Sequence, residues 1–222
     1  MGCCLSILSL LRPVEAEELP EEEQYHNFKD IVKDADDKSD LLQRVRSGGI
    51  YLDNKRMKYW VDESGSNCFM FFARSLSITW DADEQYWNWI PSNESGEEDV
   101  EVACLKDVCW LEVQRGFDLS LLSPNVNYEV VFILTMKDFS HGWHNIVTLV
   151  LQRPDNTRHE QKLNLNPEKL KGHWEEVRVG EFNSGNSTGS VRFALFDTES
   201  EQWKGGLVIK GVVVRPVRTG SA

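Results

Sequence analysis

The chain has 222 residues, of which 41% are hydrophobic, and a formal net charge of −12. It is long enough for one domain with a sizeable core plus an extension. Because nonspecific nucleic-acid binding depends on lysine and arginine that neutralise phosphates, the acidic charge argues against a nucleic-acid partner. The five cysteines, at positions 3, 4, 68, 104 and 109, do not have the spacing of a disulfide framework. We therefore expect a cytoplasmic protein with reduced thiols.

The first six residues, Met-Gly-Cys-Cys-Leu-Ser, fit the pattern for N-myristoylation. Gly2 becomes the acceptor once the initiator methionine is removed, and Ser6 supplies the hydroxyl of the pattern. A single myristoyl chain binds membranes only marginally, with an association constant of about 10⁴ M⁻¹, so stable anchoring would need palmitate on Cys3 or Cys4. We predict an acylation segment over residues 1–12 that anchors the chain to the cytosolic face of a membrane. The alternative is an unmodified, disordered tail.

An acidic linker and a short helical extension are predicted next. Residues 1–40 hold eleven acidic and four basic residues, and the proline-bounded run at 13–25 is typical of a solvated linker. Apolar residues at helical spacing predict a short helix over 26–36 and a second helix that Ser39 caps and a glycine pair ends. We expect this extension, residues 26–49, to pack against the domain that follows rather than against a separate partner.

From residue 50 onward, short runs of β-branched and aromatic residues recur between turn-forming clusters. Two of the runs alternate cleanly, so that Tyr128 to Leu134 and Val191 to Asp197 each place every second residue on one face. This pattern predicts an all-β sandwich or barrel. The predicted strands are Ile50–Leu52, Cys68–Ala73, Leu76–Trp80, Val100–Gln114, Tyr128–Met136, Ile146–Gln152, Trp174–Val179, Val191–Asp197 and Leu207–Val214.

Aromatic residues are densest between residues 75 and 89. We predict a strand there with Leu76, Ile78 and Trp80 on one face, followed by an acidic turn that leads into three more aromatic residues. Tryptophan and tyrosine combine a large flat ring with a polar tip. The residues alone therefore leave two interpretations open: a corner of the hydrophobic core, or a stacking surface for a ring-shaped ligand such as a sugar.

Six motifs are long enough to be compared with known families, and they are Ala73–Trp80, Gln85–Trp89, Val102–Leu105, Val108–Glu112, Leu122–Pro124 and Gln202–Gly211. Together they resemble the phloem-lectin family, which comprises phloem protein 2 and the Nictaba-like agglutinins. The resemblance covers residues 50–217 and leaves a short tail at 218–222. It implies a jelly-roll-like antiparallel β-sandwich that binds N-acetylglucosamine oligomers or N-glycan cores. It also implies a homodimer.

The resemblance further implies which residues bind the sugar. In Nictaba-like lectins two tryptophans and two acidic residues form the site, and matching the motifs places them at Trp80, Trp87, Ser190 and Asp197. The chain departs from the family at Ser190, where an acid is expected. The tryptophans would stack on the apolar face of the sugar, Asp197 would accept hydroxyl hydrogen bonds, and Ser190 would add a weaker polar contact. Because a buried, unpaired carboxylate is costly, Asp197 should lie at a strand rim or have hydrogen-bond partners.

No catalytic or metal site is expected. The run from His141 to His144 lacks the further ligands of a zinc site, so we predict a surface hairpin loop there and no metal or cofactor. The sequence has no glycine-rich phosphate loop, nucleophile elbow or Ser/His/Asp arrangement that would indicate an enzyme. The predicted function is therefore a non-catalytic lectin. The alternative is a membrane-tethered protein-interaction module on a lectin fold that has lost sugar binding, which the serine at position 190 and the acylation motif favour.

Overall fold

The computed structural model describes residues 25–92, 97 and 99–218. The predicted acylation residues Gly2, Cys3 and Cys4 lie outside this range. Within this range there are three short α-helices, α1 at Phe28–Val32, α2 at Leu41–Ser47 and α3 at Pro167–Leu170. The strands are β1 (Ile50–Leu52), β2 (Met57–Val61), β3 (Asn67–Phe72), β4 (Ser77–Ile78), β5 (Trp87–Pro91), β6 (Glu101–Leu105), β7 (Leu111–Asp118), β8 (Asn127–His141), β9 (Val147–Gln152), β10 (Arg158–Leu163), β11 (Glu175–Asn183), β12 (Ser190–Asp197) and β13 (Gly205–Pro216).

The strands form two antiparallel sheets whose inner faces share one core. In the larger sheet, β1, β2 and β3 lead to one edge of β13, and the same edge also pairs with β6, which pairs with β5. The other edge of β13 pairs with β8, and β11 lies beyond β8. The smaller sheet runs β10-β9-β12-β7-β4. Aromatic rings join the sheets, since the centroids of Phe71 and Phe117 lie 5.4 Å apart and those of Phe132 and Phe193 lie 5.9 Å apart. The predicted all-β antiparallel sandwich is confirmed.

Strand β13 organises the larger sheet. It pairs with β8 along one edge, and with β6 and then β3 along the other. The change of partner falls close to Gly211, whose φ is +154°. A Cβ atom at this position would lie 2.1 Å from the carbonyl oxygen of Phe71. Glycine is therefore required where β3 approaches β13.

The alternation in the sequence correctly predicts which residues enter the core. The fully buried side chains on β8 include every second residue of the predicted run, namely Tyr128, Val130, Phe132 and Leu134. The helices join the same core through Phe28, Ile31 and Val45. The helical extension thus packs against the domain that follows it, as predicted from the sequence.

Several predicted element boundaries differ from the structure. The single strand expected over Val100–Gln114 is two strands, β6 and β7, because the turn between them is held by Val108, whose backbone N–H donates to the carbonyl oxygen of Lys204 at 3.0 Å. Three strands, β2, β5 and β10, were not predicted. Strand β10 is an edge strand with mostly exposed polar and charged residues, so its sequence lacks the alternation of apolar and polar residues that indicates a strand.

The predicted cap of the second helix is also wrong. The hydroxyl of Ser39 donates to the carboxylate of Asp37 at 2.8 Å, and its backbone N–H donates to the same carboxylate at 2.9 Å. Asp40 instead precedes α2, without a side-chain cap. The local Asp-Ser hydrogen bonds outcompete capping because both groups are only two residues apart.

Burial opposes the ionisation of two thiols and two phenols in the fold. Within the described residues, Cys68, Cys104 and Cys109 are free thiols, and the first two are buried. Desolvation raises the pKa of the Cys68 and Cys104 thiols, and it raises the pKa of the Tyr59 and Tyr128 phenols well above the ordinary value. Over the same residues, no helix has both the length and the apolar character that a bilayer crossing requires.

The free energy of unfolding should decline as the pH rises above about 9. In the unfolded chain the thiols ionise near 9.0 and the phenols near 10.0, whereas in the fold both stay protonated to higher pH. The unfolded state alone then releases protons, so this stabilisation is complete below the unfolded pKa values and is lost above them. Urea denaturation at a series of pH values measures the decline. Cys68→Ala should make it shallower, and a stability that stays constant in alkaline solution would contradict the prediction.

Candidate functional site

Large hydrophobic side chains are exposed at one end of the sandwich. The pairing of Leu111 with Asp197 and of His141 with Gly205 brings the loops of both sheets to this end. In the described part of the chain, the exposed large hydrophobic residues are Trp80, Trp110, Phe139, Ile146 and Trp203. Trp80, Trp110, Ile146 and Trp203 lie in the loops, and Phe139 lies on the last part of β8. Their exposure makes this end of the sandwich the candidate for a binding site.

Trp80 is the most unusual of these residues. Its φ of +62° lies in the left-handed region, and its side chain is 46% exposed. The prediction that Trp80 shares a face with Leu76 and Ile78 is therefore wrong, because β4 ends at Ile78 and Trp80 lies exposed in the turn that follows, while the other two stay buried. A bulky residue in a sparsely populated backbone region costs about 1–3 kcal/mol, and such strain concentrates at functional sites.

Two further tryptophans hold the turn that carries Trp80. The indole Nε1 of Trp87 donates to the carbonyl oxygen of Thr79 at 3.0 Å, and that of Trp89 donates to the carbonyl oxygen of Asp81 at 3.0 Å. The residues on both sides of Trp80 are thus fixed by side chains of β5. Trp87 is only 2% exposed and belongs to the core. The structure brings the two predicted tryptophans together, but it presents only Trp80 at the surface.

Tyr86 completes an aromatic pair with Trp80. Their ring centroids lie 5.0 Å apart, with 35° between the ring planes. The backbone of the turn is tied at both ends, because the N–H of Asp83 donates to Trp80 and the N–H of Tyr86 donates to Asp83, each at 3.0 Å. Lys106 closes the turn from the side by donating to the carbonyl oxygen of Glu84 at 2.6 Å. The pair is therefore a platform with a fixed backbone.

A carboxylate that sequence reasoning missed lies beside this platform. One oxygen of Glu112 accepts hydrogen bonds from the Thr79 hydroxyl at 3.2 Å and from the Trp110 indole at 3.3 Å. The other accepts from the Gln114 amide at 3.3 Å. The signal in the sequence was the alternation from Trp110 to Gln114, which places these residues on the solvent side of β7 and Leu111 on the core side.

Asp197 is partnered inside the protein. It is 6% exposed and lies against Lys204, which is 1% exposed, with 3.1 Å between Oδ2 and Nζ. The geometry at Oδ2 is that of an ion pair without a directed hydrogen bond, while Oδ1 accepts from the N–H of Ser200 at 3.3 Å. Lys204 Nζ also donates to the carbonyl oxygen of Cys109 at 3.1 Å. The pair therefore joins two loops and positions the residue that follows Cys109, which is Trp110.

Ser190 lies at the opposite end of the molecule from this site. It begins β12 and pairs with Asp118, whereas Asp197 ends the same strand. The two positions are seven residue steps apart along the strand, a distance on the order of 20 Å. The structure therefore does not bring Ser190 together with Trp80, Trp87 and Asp197.

The histidine-containing run is a connection between the sheets and not the predicted hairpin. Strand β8 ends at His141 in the larger sheet, and β9 begins at Val147 in the smaller one. Trp143 is buried, and its indole donates to the carbonyl oxygen of Gly205 at 2.8 Å. His141 Nε2 lies 3.2 Å from Asp107 Oδ1. In residues 25–92, 97 and 99–218, no three histidine, cysteine or acidic residues are grouped so that they could hold a metal ion.

Trp87→Phe should loosen the turn at Trp80. The variant keeps an aromatic ring in the core but leaves the carbonyl oxygen of Thr79 without its donor, which should cost about 1–3 kcal/mol of unfolding free energy. Amide hydrogen exchange should accelerate in residues 79–86. Trp60→Phe changes a half-buried indole on β2, several strands away from β5 in the same sheet, and should leave that exchange unchanged. Equal exchange in all three proteins would contradict the assigned role.

Asp197→Asn should destabilise the fold because it leaves the ammonium group of Lys204 buried without a counter-charge. Removing one partner of a buried ion pair costs about 3–5 kcal/mol. Asp197→Leu combined with Lys204→Met replaces both charges with apolar groups and should recover most of this loss. Urea denaturation compares the three proteins. A single variant within about 1 kcal/mol of the wild type would show that the pair is not structural.

Comparisons with known proteins agree on one family. The family model described as "Phloem protein 2" matches residues 66–216. "Protein PHLOEM PROTEIN 2-LIKE A1" of Arabidopsis thaliana is 41% identical over 198 residues, which cover 86% of this chain and 80% of that protein. A protein named "Lectin" from Luffa acutangula is 36% identical over 200 residues, 86% of this chain and 94% of its own length. "F-box protein PP2-B10" of Arabidopsis thaliana is 29% identical, with 82% of this chain and 72% of that protein covered.

Proposed function

The chain belongs to the phloem protein 2 family, and we propose that it is a non-catalytic lectin that binds N-acetylglucosamine oligomers or N-glycan cores. Relatives of the phloem-lectin family support carbohydrate binding in general. The single observation that carries the proposal is the exposed, backbone-strained Trp80 beside the Glu112 carboxylate. An indole held at the surface at an energetic cost indicates that its exposed face has a use.

The chemistry of this end suits a sugar. A pyranose ring has one apolar face bordered by hydroxyl groups, so it can stack on the Trp80–Tyr86 platform while its edge reaches a carboxylate. The two oxygens of Glu112 offer about four acceptor positions, and protein donors occupy three of them. Stacking supplies contact area, and hydrogen bonds supply discrimination because a mismatched sugar leaves polar groups unpaired.

We assign different roles to the four residues that the family resemblance points to. Trp80 stacks on the sugar, and Trp87 supports the turn from the core. Asp197 positions the neighbouring loops through Lys204, so Glu112 takes the role of hydroxyl acceptor. We leave Ser190 out of the site because of its position at the other end of β12.

Trp80→Ala should weaken binding of chitin oligomers at least about tenfold, since an exposed aromatic anchor dominates the energy of a small interface. The fold should survive, because the side chain is exposed. Calorimetry with the full chain measures the affinity, and circular dichroism checks the fold. Phe139→Ala, which removes an exposed ring from β8 of the larger sheet and leaves the Trp80–Tyr86 pair and Glu112 intact, is the control and should bind normally. Unchanged binding by folded Trp80→Ala would refute the stacking role.

A glycan array on the wild-type protein tests the function as a whole. Binding confined to glycans that contain N-acetylglucosamine would support the proposed specificity. Failure of the folded protein to bind any glycan would instead support the alternative, a membrane-tethered interaction module that has lost sugar binding. Single-site affinity should be modest, and a homodimer would raise the apparent affinity through multivalency.

We also propose that myristate on Gly2, together with palmitate on Cys3 or Cys4, holds the protein at the cytosolic face of a membrane. Gly2→Ala should release it to the soluble fraction. Cys3→Ser with Cys4→Ser should release most of it, because myristate alone binds weakly. Fractionation of plant cells measures the distribution, with Cys109→Ser as a control that removes a thiol outside the segment. Wild-type protein found wholly in the soluble fraction would refute the anchor.

A further inference from the structure

On the solvent side of the smaller sheet, a row of aligned side chains runs from Glu112 on β7 towards β10. Phe196 pairs with Glu112, Thr148 pairs with Phe196, and Lys162 pairs with Thr148. Cross-strand partners project from the same face of a sheet. On the other side of Glu112, the backbone N–H of Thr79 donates to the Glu112 carbonyl oxygen at 3.0 Å. One row therefore crosses the whole sheet, from the aromatic platform to the β10 edge.

The far part of this row opens into a cleft of about 540 Å³. Its floor includes Thr148 and Phe196, both half-buried. Lys162 forms part of one wall, and Asn145 and residues 197–200 form part of the other. The wall is braced by a hydrogen bond of 2.6 Å from the Asn145 amide to the Ser200 hydroxyl. The cleft lies next to Glu112, since Phe196 is the direct partner of Glu112.

The lining of the cleft favours a neutral, hydroxylated ligand. An aromatic ring that faces solvent instead of the core is suited to the apolar face of a ring-shaped ligand. The charged side chains have both signs, and Arg158 is paired with Glu160 at 2.6 Å, with both residues on the cleft wall. Such a balance does not favour a phosphate-bearing or other strongly charged ligand. Hydroxyl and amide groups around an apolar floor match a sugar unit.

We propose that the smaller sheet binds an oligosaccharide along its solvent face, with one sugar unit on Trp80 and later units over Phe196 and in the cleft beside Lys162. This inference rests on the proposed function and adds the place where the units beyond the one on Trp80 bind. Strands lie about 4.8 Å apart, so the row from β4 to β10 spans about 19 Å. A β-1,4-linked sugar chain advances by about one strand spacing per unit, and the face therefore has room for about four units.

Calorimetry with chitin oligomers of increasing length and the full chain tests the proposal. The affinity of the wild type should rise with each added unit up to about four units and then level off. Lys162→Ala should weaken binding of the tetrasaccharide by about five- to tenfold, and should leave binding of the disaccharide within about twofold. Phe196→Ala should show the same pattern. Lys169→Ala, which removes the same charge from α3, is the matched control.

The outcomes separate this inference from the proposed function. Wild-type binding that does not depend on length would overturn the extended face and leave the Trp80 site standing. The extended face is likewise overturned if folded Lys162→Ala and Phe196→Ala both bind the tetrasaccharide like the wild type, or if each weakens the disaccharide as much as the tetrasaccharide. Failure of the wild type to bind oligomers of any length would overturn both proposals.

Discussion

The indole hydrogen bonds from β5 to the turn at Thr79 and Asp81 are the constraint on which the site depends. They fix the residues on both sides of Trp80 and allow that residue to keep a left-handed backbone that costs energy. The buried Trp87 is therefore as necessary to the site as the exposed Trp80, because the indole of Trp87 holds the turn that keeps Trp80 at the surface.

Of two carboxylates at this end of the sandwich, one is buried and the other lies at the surface. Asp197 and Lys204 are both buried, and they join loops that carry two of the exposed aromatic residues. Glu112 stays half-exposed on β7, where three weak hydrogen bonds orient its carboxylate. A carboxylate that is buried and ion-paired cannot approach a ligand without breaking its pair. Glu112 is thus the carboxylate that is free to accept hydrogen bonds from the hydroxyl groups of a ligand.

The sequence predicted the sandwich and much of its core, because alternation in runs such as Tyr128 to Leu134 reports burial directly. It did not predict where strands stop. Trp80 fits a strand by composition, and only the tertiary hydrogen bonds from β5 show that the strand ends before it. Glu112 was hidden for a related reason, since the turn between β6 and β7 is fixed by contacts with Lys204, almost a hundred residues away. The predicted strand Val191–Asp197 already placed Ser190 and Asp197 at opposite ends, and only the family resemblance grouped the two residues in one site.

A crystal structure of the protein with a chitin oligomer would show directly whether Trp80 holds the sugar. We expect a sugar ring stacked on the exposed face of Trp80, a hydroxyl within hydrogen-bond distance of Glu112, and Trp87 unmoved in the core. A sugar bound elsewhere, or Trp80 turned away from the ligand, would contradict it.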